Sequence, residues 1–439
     1  MTSQDSPRPT HAPARRVRIA AIAVRVVLYL VAAWGVIALL AASAFGGGAI
    51  AALALAAYTT IPLLIIIRYR GWPFYPNAIF RLLVVRPFWY THLMLPLVSS
   101  AGVIGLLAGL PFGQSLLAGQ VAAAAVLVTG VLGLALGYVG SRQLVVRRVD
   151  AAVTGLPPEF EGLRIAQLSD LHIGPHSNRT FLAHVVRTTR DLAPDLIAVT
   201  GDLIDDRAED VAIYAATLGT LSAPLGVYMI PGNHDVYAGW DAVESALRAA
   251  RLGTVLVNES HVVRRGGASL ALVGTGDPAG GKRGTSRAAP DIERALAAVP
   301  AGATVVAFAH NPALWPQLAE RGVALTLSGH THWGQFALPR LGWSLASPFL
   351  ERAMGAHQER DSLLYISPGT GYWGIPFRIG AAPEITLVTL ARAASAAAAT
   401  VHEPESVICA PSAAHFANSA SSGTSPKPAT ASRRTVTAP

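Results

Sequence analysis

Five short segments of the sequence carry side chains that bind metal ions in proteins. Together they supply two Asp, one Asn and four His as donors, and all of these offer oxygen or imidazole nitrogen. Taken singly, each segment has an ordinary interpretation, such as a turn at Gly-Asp or a hydrogen-bonded surface His. The segments are Ser169-Asp170-Leu171-His172, Gly201-Asp202, Gly232-Asn233-His234-Asp235, His310-Asn311-Pro312 and Gly329-His330-Thr331-His332. Their recurrence just after the predicted strands of one domain indicates a shared metal site.

The spacing of these residues indicates how they would share metal ions. Because residues i and i+2 of an extended chain point the same way, we expect Asp170 and His172 to reach one ion together. His330 and His332 have the same spacing and can divide between two ions. The carboxylate of Asp202 can bridge two metals about 3.5–4 Å apart, a spacing that suits in-line displacement at phosphorus. The expected chemistry is therefore hydrolysis of a phosphate ester.

Short β-like runs separated by helical stretches must position this site. Such runs, each ending in polar residues, are typical of an α/β domain with functional loops at its strand ends. Strands are predicted at Arg164 to Leu168, Leu196 to Thr200, Gly226 to Ile230, Leu270 to Gly274, Thr304 to Ala309, Leu325 to Leu327, Leu363 to Ile366 and Glu384 to Leu390. Helices are predicted at Thr180 to Asp191, Asp241 to Arg251 and Ala313 to Arg321. We expect this domain to cover residues 147–392.

The first third of the chain is too apolar for a soluble domain. The whole sequence is 52% hydrophobic and 14% charged, with a mean hydropathy of +0.42. Four segments can cross about 30 Å of hydrocarbon as helices: Val26 to Phe45, Ala49 to Ile67, Leu93 to Leu110 and Leu116 to Val139. We expect a multi-pass protein of the cell membrane, with a transmembrane region at 26–140 after a basic segment at 1–25.

Arginine flanks these segments on one side only, which predicts that both chain ends face the cytoplasm. The loops at Gly46 to Gly48 and Pro111 to Ser115 carry no Lys or Arg, and aromatic residues such as Trp72, Phe74 and Tyr75 cluster in the inner loop. The flanking arginines are Arg8, Arg15, Arg16, Arg18, Arg25, Arg68, Arg70, Arg81, Arg86, Arg142, Arg147 and Arg148. An alternative treats the first segment as a signal peptide cleaved after Ala42-Ser43-Ala44, and it leaves the catalytic domain cytoplasmic as well.

The remaining composition limits other classes of function. The single cysteine, Cys409, excludes a disulfide framework and a thiolate metal cluster, so a metal site must use N and O ligands. The net charge of +8 comes mainly from arginines that flank apolar segments, so nucleic-acid binding is not expected. Residues 393–439 are rich in Ala, Ser, Thr and Pro and are predicted to be a disordered low-complexity tail.

The ordered set of segments resembles the calcineurin-like metallophosphoesterase superfamily. The strings Leu168-Ser169-Asp170-Leu171-His172, Ser328-Gly329-His330-Thr331-His332 and Pro376-Phe377-Arg378 are similar, more narrowly, to its bacterial membrane-associated branch, which includes UDP-2,3-diacylglucosamine pyrophosphatase-like proteins. The resemblance implies a four-layer α/β/β/α sandwich after the transmembrane helices. It departs from the family at Trp333, where relatives commonly have Gly, which leaves the ligands intact but changes the expected shape of the substrate mouth.

The resemblance also implies a role for each residue of the site. It assigns one metal to Asp170, His172 and His332, and a second metal to Asn233, His310 and His330, with Asp202 between them. His234 matches the catalytic histidine of the family. The donor chemistry suits Mn, Fe or Zn without choosing among them.

The expected mechanism is attack on phosphorus by a hydroxide held between the two metals, whose binding lowers the pKa of water to about 7. His234 would bind the phosphate or protonate the leaving group. Asp235 is expected either to orient His234 or to cap the loop. Asp205 and Asp206 are interpreted as solvated, with contact to a ligand as the alternative.

Two apolar and aromatic stretches, Trp333 to Leu350 and Tyr372 to Phe377, bear on the substrate. They are expected either to pack a cap on the core or to form a rim that admits an acyl chain. The expected partners are the membrane bilayer and a phosphodiester or pyrophosphate substrate, with a lipid-linked one favoured by the membrane tether. Alternatives are a phosphoprotein or phosphomonoester phosphatase, or a non-enzymatic sensor or transporter. The spans look like an anchor, because they contain no Asp, Glu or Lys for an ion path.

The arginine asymmetry generates a topology prediction. A reporter that is active only outside the membrane, fused after Arg148, should be silent, whereas the same reporter fused at Gly47 should be active. The opposite pattern would put the catalytic domain outside the cell.

Overall fold

The structure, a computed structural model, describes residues 12–69, 77–174, 177–283, 286–393 and 398–407. Three sets of sequence predictions fall at least partly outside the described residues. They concern residues 1–11 of the basic segment, the inner-loop aromatics Trp72, Phe74 and Tyr75, and the tail beyond residue 407 with Cys409.

Four long apolar helices begin the described chain: α1 (Ala12–Ala44), α2 (Gly48–Tyr69), α4 (Arg86–Ala108) and α5 (Ser115–Gly140). The short helix α3 (Ala78–Phe80) leads through a π-helical turn at Arg81–Val85 into α4. The segments long and apolar enough to cross a membrane are Val24–Ala44, Gly48–Tyr69, Arg81–Ala108 and Ser115–Gly140. The prediction of four such helices is confirmed.

Small residues bring these helices into close contact. A Cβ atom on Gly105 of α4 would lie 2.4 Å from the carbonyl oxygen of Ala118 in α5. A Cβ atom on Gly102 would lie 2.8 Å from Leu40 of α1. Close backbone approach at glycine is how helices associate in lipid, where apolar burial supplies little driving force. Helix α4 therefore holds α1 and α5 together.

The rest of the described chain forms strands and shorter helices. The strands are β1 (Val145–Val153), β2 (Arg164–Leu168), β3 (Leu196–Thr200), β4 (Val227–Ile230), β5 (Thr254–Val255), β6 (Glu259–Arg265), β7 (Ala268–Gly274), β8 (Thr304–Phe308), β9 (Leu325–Ser328), β10 (Ala337–Leu338), β11 (Trp343–Ser344), β12 (Gly355–Glu359), β13 (Ser362–Ile366), β14 (Glu384–Arg392), β15 (Ala398–Val401) and β16 (Glu405–Ser406). The helices are α6 (Arg179–Asp191), α7 (Asp210–Leu218), α8 (Asn233–Tyr237), α9 (Trp240–Ala249), α10 (Pro278–Arg283), α11 (Ile292–Leu296) and α12 (Trp315–Glu320).

The strands form two main sheets. The first has the order β15-β1-β14-β2-β3-β4-β5, with β16 also beside β1. The second has the order β12-β13-β9-β8-β7-β6. Strands β2, β3 and β4 run parallel, and so do β7, β8 and β9. Parallel strands end at the same edge of a sheet, so the loops after them come together.

Apolar side chains from both sheets form a common core between them, for example Ile165 of β2 and Phe308 of β8. The other face of the first sheet packs against α6, α7 and α9, and Val185 of α6 is fully buried there. The other face of the second sheet packs against α11 and α12 through residues such as Leu318. The expected four-layer α/β/β/α sandwich is therefore confirmed, with burial of apolar area as its main source of stability.

The structure corrects the predicted ends of this domain. The first sheet begins at Val145 and contains β1, for which no strand was predicted, in parallel register with β14. Residues 398–406 were expected in the disordered tail, but β15 and β16 pair with β1. Ladder hydrogen bonds and an Asp150–His402 contact of 2.7 Å stabilise this edge despite its low-complexity composition.

The sandwich is joined directly to the last apolar helix. The backbone N–H of Arg378 donates to the carbonyl of Gly137 in α5 at 2.8 Å. A Cβ atom on Gly137 would lie 2.1 Å from the ring of Phe377, so only glycine permits this contact. The segment around Phe377 and Arg378 therefore lies against the end of α5.

Candidate metal centre

The predicted donors converge where strands of the two sheets end. Asp170 and His172 follow β2, Asp202 follows β3, and Asn233 follows β4 of the first sheet. The second sheet contributes the donors after β8 and β9, which are His310, His330 and His332. The structure thus brings together all seven residues proposed from the sequence as metal ligands.

The backbone at these positions differs from the expected one. Asp170, His172, Asp202, His330 and His332 all have positive φ angles, between 44° and 70°. Asp170 and His172 therefore do not lie close together because of the alternation of an extended strand. They do so because both residues have left-handed backbone conformations. Left-handed backbone at non-glycine residues costs roughly 1–3 kcal/mol each and concentrates at functional sites. The sandwich must compensate this strain.

One group of donors consists of Asp170, His172 and His332, whose ligand atoms lie within 4.8 Å of one another. The Nε2 atoms of His172 and His332 are 3.0 Å apart, and Nε2 of His332 lies 3.3 Å from Oδ1 of Asp170. Asp170 is fully buried, and His172 is 1% exposed. This is a compact set of one carboxylate and two imidazoles.

The other group consists of Asn233, His310 and His330. The side-chain oxygen of Asn233 lies 2.6 Å from Nδ1 of His330 and 3.2 Å from Nε2 of His310. The opposite ring nitrogen of His310, Nδ1, bonds the backbone carbonyl of Thr200 at 2.8 Å. A carbonyl only accepts, so Nδ1 of His310 carries a proton, and in the neutral ring Nε2 has the lone pair that a metal ligand needs.

Asp202 connects the two groups. Its Oδ2 atom lies 3.2 Å from Nε2 of His310 and 3.7 Å from Nε2 of His172. Its Oδ1 atom accepts the backbone N–H of His234 at 2.7 Å. The prediction that Asp202 stands between two sets of ligands agrees with this geometry.

Two glycines make room for the carboxylates. A Cβ atom on Gly232 would lie 2.2 Å from Oδ1 of Asp202, and one on Gly329 would lie 2.2 Å from Oδ2 of Asp170. Any side chain there would displace a donor. The Gly of the Gly-Asn-His-Asp segment therefore allows Asp202 to pack against the backbone, and the Gly of the Gly-His-x-His segment does the same for Asp170.

Charges in this centre are strongly coupled. Burial raises the pKa of Asp170, whereas His310 lowers the pKa of Asp202 despite its burial. Burial and then His310 lower the pKa of His330 to about 4, and burial and then Arg378 lower the pKa of His332 well below its usual value. Although burial opposes it, Asp205 raises the pKa of His172 and Asp202 raises the pKa of His310. Neutral imidazoles and ionised carboxylates are the ligand forms that bind a divalent cation, so a bound cation would displace the protons of this centre. The donor set fits such a cation.

His234 lies at the rim of the centre, with its side chain 17% exposed. Its Nδ1 atom lies 2.9 Å from the backbone carbonyl of Asp205 and 3.5 Å from that residue's Oδ1. The ring packs edge-on against His172 at 4.7 Å between centroids. Because the carbonyl only accepts, Nδ1 holds the proton and Nε2 is the atom that can exchange one.

Asp235 caps the loop and does not orient His234. It is 1% exposed, and its carboxylate accepts backbone N–H groups from Gly232 at 2.9 Å, Ile204 at 3.1 Å and Leu203 at 3.3 Å. Burial and then the charge of Asp202 raise its pKa to about 6. These contacts favour the loop-capping alternative, and the catalytic role expected for Asp235 stays a prediction.

Asp205 was interpreted as solvated, which is wrong. It is 9% exposed, and Oδ1 lies 3.3 Å from Nδ1 of His172. The backbone N–H of Asp205 bonds the carbonyl of Ile173, which aligns it with the loop after β2. Asp206 does have an exposed side chain, 58% accessible, 3.9 Å from Arg81. The sequence alone has no signal that separates these neighbouring aspartates.

Arg378 belongs to the centre, although it was quoted only as part of a family-like string. It is 1% exposed, and its guanidinium donates to the carbonyls of Pro368 and Gly371, both at 2.5 Å. It also donates to Nδ1 of His332 at 3.0 Å. That contact puts the proton of a neutral His332 on Nε2, so ligation through Nε2 requires the contact to shift or the proton to leave.

The mouth of the centre lies beside the apolar helices. The ring of Trp373, which is 52% exposed, packs edge-on at 6.2 Å from that of His234. The adjacent Tyr372 lies in the electrostatic field of Arg86, at the start of α4. Trp333, the residue that departs from the family pattern, is 3% exposed and donates from its indole to the carbonyl of Ile366. Trp333 therefore packs in the core, and Trp373 forms the rim.

The layered fold and this cluster of N and O donors define a class of α/β/β/α domains with a buried metal centre. Comparison with known proteins gives the same class. The profile of the calcineurin-like phosphoesterase family matches residues 163–334. An uncharacterized metallophosphoesterase of Bacillus subtilis is 31% identical over 239 residues, which cover 54% of this chain and 81% of that protein. The chain belongs to the calcineurin-like metallophosphoesterase family.

One further relative is described as a transmembrane protein. A transmembrane protein with metallophosphoesterase domain from Bos taurus is 33% identical over 278 residues, or 61% of this chain and 62% of that protein. An uncharacterized metallophosphoesterase of Helicobacter pylori is 34% identical over 230 residues, or 52% and 60%. The chain thus spans about three fifths of the length of these two relatives. The narrower resemblance to UDP-2,3-diacylglucosamine pyrophosphatase-like proteins stays a prediction.

The buried contacts of Arg378 generate a stability prediction. Arg378→Met should leave several buried carbonyls without donors and destabilise the sandwich by about 3 kcal/mol or more, since each unsatisfied group costs roughly 1–3 kcal/mol. The melting temperature should fall by roughly 6–12 °C. The melting temperature of Arg378→Lys should fall less, because lysine keeps one donor group. Thermal unfolding followed by near-UV circular dichroism measures this, with the exposed Arg360→Met as control; equal melting temperatures for all three variants would contradict the assignment.

Proposed function

We propose that the protein is a membrane-anchored phosphoesterase that uses two divalent metal ions to hydrolyse phosphodiester or pyrophosphate bonds. The observation that carries this proposal is the convergence of two groups of three N and O donors, with Oδ2 of Asp202 near His310 of one group and His172 of the other. Asp170, His172 and His332 would hold one ion and Asn233, His310 and His330 the other, with Asp202 shared. Mn, Fe or Zn each suits this sulfur-free donor set.

The reaction class follows from what such a centre can do. Divalent ions supply Lewis acidity, which lowers the pKa of water and neutralises the charge of a phosphoryl group. One oxygen of Asp202, Oδ2, lies near both ligand groups. The backbone N–H of His234 holds the other oxygen of Asp202 at 2.7 Å, so this residue is fixed beside the centre.

His234 is the proposed general acid. Its Nδ1 proton is committed to the carbonyl of Asp205, which fixes the ring orientation. The free Nε2 atom of a protonated ring can then donate to the phosphate or to the leaving oxygen. Asp205 also lies beside His172, so its carboxylate connects the proposed acid to the proposed metal ligands.

The substrate proposal rests on where the mouth lies. Trp373 borders His234 at the mouth, the nearby Arg378 bonds Gly137 in α5, and Tyr372 lies in the electrostatic field of Arg86 at the start of α4. A phosphate carried by a membrane lipid would therefore be close to the centre and concentrated in two dimensions. Phosphomonoesters or phosphoproteins are the alternative substrates, and the full donor set with His234 supports catalysis over a purely sensory role.

The function is tested with the full chain in lipid nanodiscs. Metal-dependent release of phosphate or nitrophenol should be measured with a lipid pyrophosphate, bis(p-nitrophenyl) phosphate and a phosphopeptide. Asp202→Asn should lower bound metal and reduce activity by more than the roughly 10–100-fold typical of losing an outer-shell partner. Asp206→Asn, at an exposed neighbouring carboxylate, is the control. Two ions per chain and near-normal turnover in Asp202→Asn would contradict the proposal.

A second prediction concerns proton donation. His234→Ala should keep its metal but lose rate by roughly 10²–10⁴-fold, as expected for removal of a general acid. The loss should shrink for esters of p-nitrophenol, because this leaving group departs without a proton. An equal loss for good and poor leaving groups would show that His234 positions the phosphate instead.

A further inference from the structure

Exposed apolar side chains are concentrated in one part of the sandwich. From Arg142 onward, ten large apolar residues of the described chain are exposed, and six of them fall between positions 338 and 350. Those six residues, called the apolar ridge, are Leu338, Leu341, Trp343, Leu345, Phe349 and Leu350. Phe349 is 81% and Leu341 is 75% exposed. Single exposed apolar residues are ordinary, whereas a contiguous cluster marks an interaction surface.

The ridge is held in a defined shape. Strands β10 and β11 pair in register, with Leu338 opposite Trp343, and the N–H of Leu345 bonds the carbonyl of Phe336 at 2.8 Å. Beneath the most exposed residues of the ridge, Phe349 and Leu341, which form its crest, Ala337 and Trp333 are buried against Ala381. The exposed side chains therefore project from a buried base.

The ridge also starts where the sandwich meets the apolar helices. The N–H of Ala337 bonds the carbonyl of Ile379 at 2.9 Å, and the preceding residue, Arg378, bonds the carbonyl of Gly137 in α5. Gln335 in turn bonds the backbone of Trp373 at the mouth, at 3.0 and 3.1 Å. The segments 335–337 and 373–379 thus connect the apolar ridge, the mouth and the end of helix α5 by hydrogen bonds.

The composition of the ridge fits a lipid surface. Between Trp333 and Leu350 the sequence has no Asp or Glu and one basic residue, Arg340. Apolar and tryptophan side chains beside an arginine are typical of segments that lie in the interface of a bilayer with anionic lipids. A second protein chain would more often be met by a surface with a polar rim of both charges.

We propose that the apolar ridge inserts into the face of the bilayer at which α5 ends. The spans fix the domain to that face, and Phe349 and Leu341 at the crest enter the region between headgroups and acyl chains. Insertion turns the mouth at Trp373 toward the membrane surface, where a phosphate at headgroup level can reach it. This inference concerns the placement of the domain and does not depend on which phosphate ester is hydrolysed.

The single native cysteine makes the test direct. In a Cys409→Ser background, Phe349→Cys carries a nitroxide spin label, and Ile213→Cys, at a residue of α7 that is 51% exposed, is the matched control. Leu341→Cys provides a second crest position if Phe349→Cys folds poorly. The full chain is placed in nanodiscs that contain anionic lipid, one chain per disc.

Collisions of each label with oxygen, which concentrates in lipid, and with a water-soluble nickel complex are measured by electron paramagnetic resonance. The ratio of oxygen to nickel collisions should be several-fold higher at positions 349 and 341 than at 213. Equal ratios at the crest and the control would overturn the proposal. So would a short distance between labels at 349 in preparations with two chains per disc, since this would identify a second copy as the occupant.

Discussion

The burial of two carboxylates, Asp170 and Asp202, is the constraint on which the rest of the structure depends. Fully buried charge is expensive unless it is matched by opposite charge and hydrogen bonds. The molecule supplies both: imidazoles of four histidines lie around the pair, and backbone N–H groups of His330 and His234 bond the carboxylates at 3.1 and 2.7 Å. A divalent cation bound by these donors would supply further positive charge to the centre. Left-handed backbone at five of the seven donors is part of the cost that the layered core offsets.

The donors could be predicted from sequence because each follows a β-like run and because their types share one chemistry. Eight strands were predicted from their short apolar runs, whereas β1, β5, β6, β10, β11, β12, β15 and β16 were not. Strand β1 was missed because Arg147 and Arg148 looked like charges that flank a membrane helix. In the structure Arg147 forms a 2.6 Å ion pair with the buried Glu384, and this partner lies 237 positions away. The sequence did not place Asp205 and Arg378 in the centre for a similar reason. Their contacts are made with residues distant in the chain, and no local sequence pattern predicts such contacts.

The metal centre and the membrane region are mechanically continuous. Helix α5 ends at Gly140 and β1 begins at Val145, so the sandwich starts within a few residues of the last span. Arg378 bonds the carbonyl of Gly137 in α5 through its backbone and donates to His332 through its side chain. Trp373, five residues earlier, packs against the ring of His234. In the proposed function, the apolar helices would hold the mouth beside the lipid and so affect substrate access as well as location.

The central claim is that Asp202 joins two metal ions in one centre. X-ray anomalous scattering from crystals of the full chain prepared with Mn²⁺ tests it most directly. The account predicts two peaks about 3.5–4 Å apart, both next to the carboxylate of Asp202. One set of donors should surround each peak, with Asp170 beside the first and Asn233 beside the second. A single peak at full occupancy, or two peaks that do not share Asp202, would contradict it.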